Sequence, residues 1–217
     1  MRVVLIALLL TATAAAARAA EPSAPTEDPA LQEAVDAYQR GEVAAARKSL
    51  EALSRRGVPA ADYNLGVIAL DAGRPAEAAR LMQRAAERGF VTAMVGLGRL
   101  YDTGRLGRPD LPLAQRWFLL AAEAGSVDAQ VEVATAFYLG RGAPRDREAA
   151  ARWYREAAKS GDIGAQYLIA SMYESGDGVD RDLRLARYWY DIAAKNGDEA
   201  APGKLKELDE RLKATPS

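Results

Sequence analysis

Between residues 110 and 200 the apolar positions fall into the same stripe three times over. Ala114, Trp117, Phe118, Ala121 and Ala122 stand at i, i+3, i+4, i+7 and i+8. Ala150, Trp153, Tyr154, Ala157 and Ala158 repeat the set, and Ala186, Trp189, Tyr190, Ala193 and Ala194 repeat it again. This spacing is one apolar face of a helix with 3.6 residues per turn. Small alanines let neighbouring helices approach while the ring fills the gap between layers, so all three tryptophans are expected in the core. Gly125, Gly161 and Gly197 follow these helices, where a left-handed C′ residue ends a helix. Asp110, Asp146 and Asp182 precede them at N-cap spacing. Pro29, Pro59, Pro75, Pro109, Pro112 and Pro144 fall only at predicted helix starts or loops. No segment alternates as a strand would.

The stripe belongs to a longer period. Trp117, Trp153 and Trp189 are 36 residues apart, as are Gly89, Gly125, Gly161 and Gly197, and Ala93, Ala129, Ala165 and Ala201. Tyr101, Phe137 and Tyr173 keep the step, and so do Gly104, Gly140 and Gly176. Agreement of several residue classes in one register is the signature of stacked helical repeats. Upstream the step shortens: Ala34 to Gly66, Gly41 to Gly73 and Ala46 to Ala78 are each 32 residues. Gly66, Gly73, Ala78 and Ala85 are similar to the tetratricopeptide pattern of small residues, with a shorter turn between the two helices. Lys204 to Lys213 is a charged amphipathic stretch suited to covering the open end of a stack.

The expected fold is therefore all-α: a right-handed alpha-alpha superhelix, or solenoid, of about five helix pairs plus a C-terminal capping helix. The expected organisation is a signal peptide over 1–19, a linker over 20–27, two tetratricopeptide-like repeats over 28–89, three longer repeats over 91–198, and a cap and tail over 199–217.

The N-terminus changes the picture of where the chain works. Arg2, the apolar run Val3 to Leu10 and the small-residue site Ala17-Arg18-Ala19 form a secretory signal pattern, with cleavage after Ala19. The apolar run is shorter than the ~20 residues needed to span a bilayer, so no stable membrane insertion is expected after cleavage. No cysteine follows it to carry a lipid. An exported, cysteine-free, Ala/Arg-rich chain fits a periplasm. The formal net charge is -1, and removing Arg2 and Arg18 makes it -3, so no nucleic-acid footprint is present. The chain has neither cysteine nor histidine. Thiol and imidazole nucleophile–base chemistry are thereby ruled out, as are zinc sites built on those ligands.

Ala93, Leu97, Gly98, Tyr101, Gly104, Asp110, Ala114, Trp117, Ala121, Ala122 and Gly125 together resemble the Sel-1-like repeat family, a relative of the tetratricopeptide repeats. So do Ala165, Tyr173, Gly176, Gly178, Val179, Asp182, Ala186, Trp189, Tyr190, Ala193, Ala194 and Gly197. The departures are mild: Ala134 and Ala170 replace the Gly after the Leu position, and Phe137 replaces Tyr. The resemblance covers Ala93 to Ala201. It implies adaptor or regulatory roles in signalling, envelope assembly and secretion. A cysteine-rich bacterial subgroup is linked to β-lactam binding, but this chain lacks the helix-linking cysteine pairs and that activity is not carried over.

In such a solenoid the first helix of each pair lines the inner wall. Anchoring each first helix on its Leu-Gly position places three rows there: Leu31, Tyr63, Val95, Val131 and Tyr167; Val35, Val67, Arg99, Thr135 and Ser171; and Tyr38, Leu70, Asp102, Tyr138 and Glu174. Tyrosine and aliphatic groups with a few hydrogen-bonding ones suit an extended or helical peptide. The partner-binding candidates are Tyr38, Tyr63, Val67, Val95, Arg99, Asp102, Val131, Thr135, Tyr138, Tyr167, Ser171 and Glu174, and the expected partner is a protein or peptide. Some of these positions are equally open to packing between layers. No catalytic residue, metal or cofactor is expected. Asp110, Asp146 and Asp182 read as caps, the acidic group Glu174, Asp177, Asp180 and Asp182 is too sparse for a calcium loop, and Arg141, Arg145, Arg147 and Arg152 read as a solvated mixed face. The competing reading is a carboxylate-based hydrolase acting on an envelope glycan or β-lactam-type ligand, using paired Asp/Glu. No such pair stands out from the charged background.

Overall fold

The computed structural model describes residues 28–214. The expected signal peptide and linker, and the last three residues of the tail, lie outside them. Eleven helices and no strands are present among the described residues: α1 (Pro29–Gln39), α2 (Val43–Arg55), α3 (Pro59–Asp71), α4 (Pro75–Glu87), α5 (Val91–Asp102), α6 (Leu111–Glu123), α7 (Val127–Leu139), α8 (Arg147–Lys159), α9 (Ile163–Ser175), α10 (Leu183–Lys195) and α11 (Ala201–Ala214). The fold is of the all-α repeat-superhelix class. Among these residues none of the helices is long and apolar enough to cross a membrane.

The described residues divide into two compact units, 28–92 and 93–214. In the first, α1 packs on α2 and α3 on α4, and α3 also contacts α2 and α1. The core is formed by Ala34, Leu50, Leu53, Ala61, Leu65 and Ile68. Residues 40–42 and 72–74 make the short turns inside the two pairs. Pro59 and Pro75 each open a helix, where a missing N–H leaves no donor wasted.

In the second unit α6 packs on α7, α7 on α8, α8 on α9, α9 on α10 and α10 on α11. The turns inside the pairs are longer here, residues 103–110, 140–146 and 176–182. Each closes on one repeated bond: Asp110, Asp146 and Asp182 donate their backbone N–H to the carbonyls of Tyr101, Phe137 and Tyr173. The same three carboxylates accept from the first turn of α6, α8 and α10, as expected of caps. Ser126 and Asp162 cap α7 and α9 in the same way. Gly125, Gly161 and Gly197 hold positive φ. The next N–H (Ser126, Asp162, Asp198) reaches back to the carbonyl of Ala121, Ala157 or Ala193, closing the helix ends. Helix α11 continues the register: Ala201 stands 36 residues after Ala165 and both are fully buried.

One expectation is corrected. Of the three tryptophans only Trp189 is buried, while Trp117 and Trp153 are half-exposed. The deepest ring of each stripe is the next residue, Phe118, Tyr154 or Tyr190. Positions i+3 and i+4 flank the centre of a helical face, and the stack is rotated so that i+4 points inward. Gly98 explains the closeness around Phe118: a Cβ there would lie 2.5 Å from the ring.

Candidate interaction surface

The three rows proposed from sequence lie on α1, α3, α5, α7 and α9. In the first row Tyr63 and Val95 are buried, at 5% and 8% exposure, and Tyr63 sets its ring 5.6 Å from that of Phe90. Leu31, Val131 and Tyr167 are half-buried, and Tyr167 meets Tyr190 edge-on at 5.1 Å. The second row, Val35, Val67, Arg99, Thr135 and Ser171, is half-buried throughout. Within it Arg99 reaches Asp128 at 3.4 Å and the Thr135 hydroxyl shares a 2.9 Å hydrogen bond with that of Tyr154.

The third row is the most engaged. Tyr38 donates its hydroxyl to Asp71. Asp102 pairs with Arg141 of the next long loop at 2.9 Å. Tyr138 lies under the Arg147 guanidinium, 4.0 Å from ring centroid to Cζ, and Arg147 also pairs with Asp177 one loop further on. Glu174 accepts from the Tyr190 hydroxyl at 3.1 Å and from Arg211 at 2.5 Å, with Lys204 at 3.8 Å. In the second unit this row therefore links each layer to the one after it, with α11 occupying the place a further first helix would take. Arg141 and Arg147, expected on a solvated mixed face, are part of these links, and Asp177 and Asp182 are an ion-pair partner and a cap.

These environments set the chemistry. Burial, reinforced by the Glu174 carboxylate, holds the Tyr190 hydroxyl above the ordinary tyrosine range. Burial likewise raises Tyr154, partly offset by its bond to Thr135. Glu42 and Asp209 are lowered by hydrogen bonds from Arg40 and Arg187. A hydrolytic acid needs the opposite shift, a carboxyl held protonated by burial or a like charge. Among the described residues no group of three or more potential ligands could hold a metal ion.

Two features escaped the sequence reading. Gln130 and Gln166, 36 residues apart, are buried and donate to the Ala122 and Ala158 carbonyls at the ends of α6 and α8. The same helix-end carbonyls also accept from the N–H groups of Gly125 and Gly161. The equivalent position on α3 is Asp62, whose side chain is 1% exposed and accepts from Ser54 at 2.6 Å, Arg84 at 2.6 Å and Arg88 at 3.2 Å. The shared register directly after the buried Ala61, Ala129 and Ala165 was the available signal.

Four consecutive segments, residues 59–90, 91–126, 127–162 and 163–198, match the Sel1 repeat family. The first of them is the segment read above as tetratricopeptide-like, and its shorter turn over residues 72–74 accounts for the four missing residues. Among solved structures, a protective antigen of uropathogenic Escherichia coli displaying an SLR fold is 28% identical with a TM-score of 0.74, over 82% of this chain and 40% of that one. The chain thus spans less than half the length of the E. coli protein. A Sel1 repeat protein from Oxalobacter formigenes is 27% identical with a TM-score of 0.74, over 82% of this chain and 74% of its own. No curated protein sequence is significantly similar to the chain. With repeated caps, loop bonds and buried alanines in one register, and the repeat matched over more than half of its length, the chain belongs to the Sel1 repeat family.

Proposed function

We propose that this chain is an exported, periplasmic interaction scaffold that catalyses no reaction and engages a protein or peptide partner along the first helices of its repeats. The observation that carries the reading is the run of four Sel1 repeats, a family typically made of protein–protein interaction scaffolds and generally non-enzymatic. The half-buried rows support the surface. In the second unit Val131, Thr135, Tyr138 and Tyr167 keep part of their area open, with the Thr135 hydroxyl bonded to Tyr154 and the two tyrosine rings packed against Arg147 and Tyr190, so they offer contact at low entropic cost. The hydrolase reading finds no support, because the carboxylates that depart from ordinary values are lowered by arginine partners.

Export rests on Arg2, the Val3 to Leu10 run and the Ala17-Arg18-Ala19 site, and is in keeping with a relative that is a protective antigen. The mature chain is expected to begin at Ala20 or Glu21 and to fractionate with the periplasm. N-terminal sequencing that finds Met1 intact in the cytosol overturns this.

Partner capture is tested by crosslinking from periplasmic extract, with mass spectrometry of what is recovered. Tyr138→Ala with Tyr167→Ala is expected to weaken capture at least about thirtyfold, the loss that a single central aromatic anchor of ~2 kcal/mol gives. Changing the exposed Arg116, Arg152 and Lys159 of α6 and α8 together to Ala serves as the control. Circular dichroism separates lost contact from lost structure. If the tyrosine variant keeps full capture while the arginine–lysine variant loses it, the partner docks on the second helices and this assignment fails.

A further inference from the structure

In the first unit the second helices of the two pairs, α2 and α4, flank a cleft of about 240 Å³. Its apolar lining comes from Leu65 and Ile68 of α3 and from Leu81 of α4. The charges around it are uneven. Arg47 pairs with Glu51 at 2.9 Å and Arg74 with Glu77 at 2.7 Å, and Arg47 also reaches across to Glu77 at 4.0 Å. Those two pairs cancel. Arg84 donates to the buried Asp62, but Arg88 donates to the same carboxylate, so two guanidiniums share one negative charge. Arg55, exposed in the last turn of α2, has no ion pair among the described residues.

The count decides the sign. Four arginines (Arg47, Arg55, Arg74 and Arg84) line the cleft against two glutamates, Glu51 and Glu77, a surplus of two positive charges. Adding Asp62 and Arg88 behind the wall gives five against three, the same surplus. The surplus is concentrated at one end, because Ser54, next to Arg55, has its hydroxyl 3.5 Å from Arg84 Nη2. A helix C-terminus favours a cation, which accounts for arginines in the last turns of α2 and α4. It does not account for their convergence beside the half-buried Leu81, nor for an Arg55 with no ion pair among the described residues.

We propose that this cleft docks an acidic, leucine-bearing peptide segment of a partner protein. An apolar side chain packs on the half-buried Leu81, over the nearly buried Leu65 and Ile68, and a carboxylate one or two residues away meets Arg55 and Arg84. The volume fits one side chain with its neighbouring carboxylate and falls below the roughly 300 Å³ at which small-molecule pockets begin. A free anion would leave the apolar lining wet and meet guanidiniums screened by water, where pairing is weak. Its charged rim lies on the second helices, and its α3 lining, Leu65 and Ile68, belongs to none of the first-helix rows, so it stands apart from the surface proposed above.

Fluorescence anisotropy of the full mature chain with labelled Glu-Leu-Leu-Asp-Glu tests the proposal. Its comparators are Gln-Leu-Leu-Asn-Gln, Glu-Ala-Ala-Asp-Glu and inorganic phosphate as competitor. The first peptide is expected to bind, and both altered peptides to bind about tenfold more weakly. Arg55→Glu is expected to weaken the first peptide by about tenfold or more, with Arg55→Lys retaining most of the affinity. Arg55 is exposed, so circular dichroism is expected to stay unchanged in both variants. Equal binding of the neutral peptide, indifference to Arg55→Glu, no saturation, or displacement by equimolar phosphate each overturns the proposal. The Tyr138/Tyr167 variant is expected to bind the peptide normally, which keeps this test distinct from the first-helix surface.

Discussion

Tyr190→Ala is expected to cost about 3 to 5 kcal/mol in chemical denaturation followed by circular dichroism, the range for a fully buried large aromatic. Tyr190 is the largest of the fully buried side chains, at 0% exposure. Its ring meets Tyr167 edge-on, and its hydroxyl donates to Glu174, which also holds Arg211 and Lys204 of α11. Its loss therefore leaves a cavity between layers and loosens the terminal helix that closes the stack. Tyr190→Phe keeps the ring and removes one hydrogen bond, so about 1 kcal/mol is expected. Trp153→Ala, at a half-exposed ring packed beside the same core, is expected to cost about half as much as Tyr190→Ala. A Trp153 cost equal to that of Tyr190 contradicts this ranking of the two rings.

That ranking marks where sequence stops. The 36-residue register, the caps Asp110, Asp146 and Asp182, and the left-handed Gly125, Gly161 and Gly197 were legible because each depends on backbone geometry that recurs with the repeat. Which of two adjacent aromatics points inward was not legible. Trp153 and Tyr154 both sit on the apolar face, and a rotation of the helix by a fraction of a turn exchanges their roles. The rows were legible as positions but not as environments. Whether Asp102 faces a partner or Arg141 depends on a loop whose path is set by Gly140 and Gly142. Asp62 was hidden for the opposite reason: one carboxylate among many charges looks solvated until Ser54, Arg84 and Arg88 are seen to converge on it.

The third row shows how the same side chains serve two ends. Asp102 and Glu174 bond to elements of the next layer, and Tyr138 holds Arg147 of its own layer, which in turn pairs with Asp177 of the next. Stability in such an array is the sum of each repeat and its neighbour contacts. A partner that competes for one of these groups must replace its bond, whereas one that covers only Val131 does not. The half-buried aliphatic position of the second unit's inner row is therefore the place where affinity is gained without loosening the layers.

Gly178→Ala is expected to cost about 3 to 5 kcal/mol, and Gly161→Ala about 1 to 2 kcal/mol. Both glycines hold positive φ, +73° and +96°, so both substitutions incur the left-handed penalty of roughly 1–2 kcal/mol. They differ in what surrounds them. Gly161 has nothing within 4 Å of a built Cβ, whereas at Gly178 the Cβ would press into the backbone carbonyl of Arg147, the first residue of α8. Gly142 stands in the same relation to Leu111, the first residue of α6, so the contact is a repeated one between a long loop and the layer before it. Backbone cannot swing aside as a side chain can, so relief requires the loop over residues 176–182 to lift. That movement would also pull Asp177 from Arg147 and release Arg147 from the Tyr138 ring. The difference between the two variants in urea denaturation isolates the interlayer contact from the cost of the left-handed backbone. Equal losses at the two positions would mean that the loop yields freely and that Gly178 is required only for its φ.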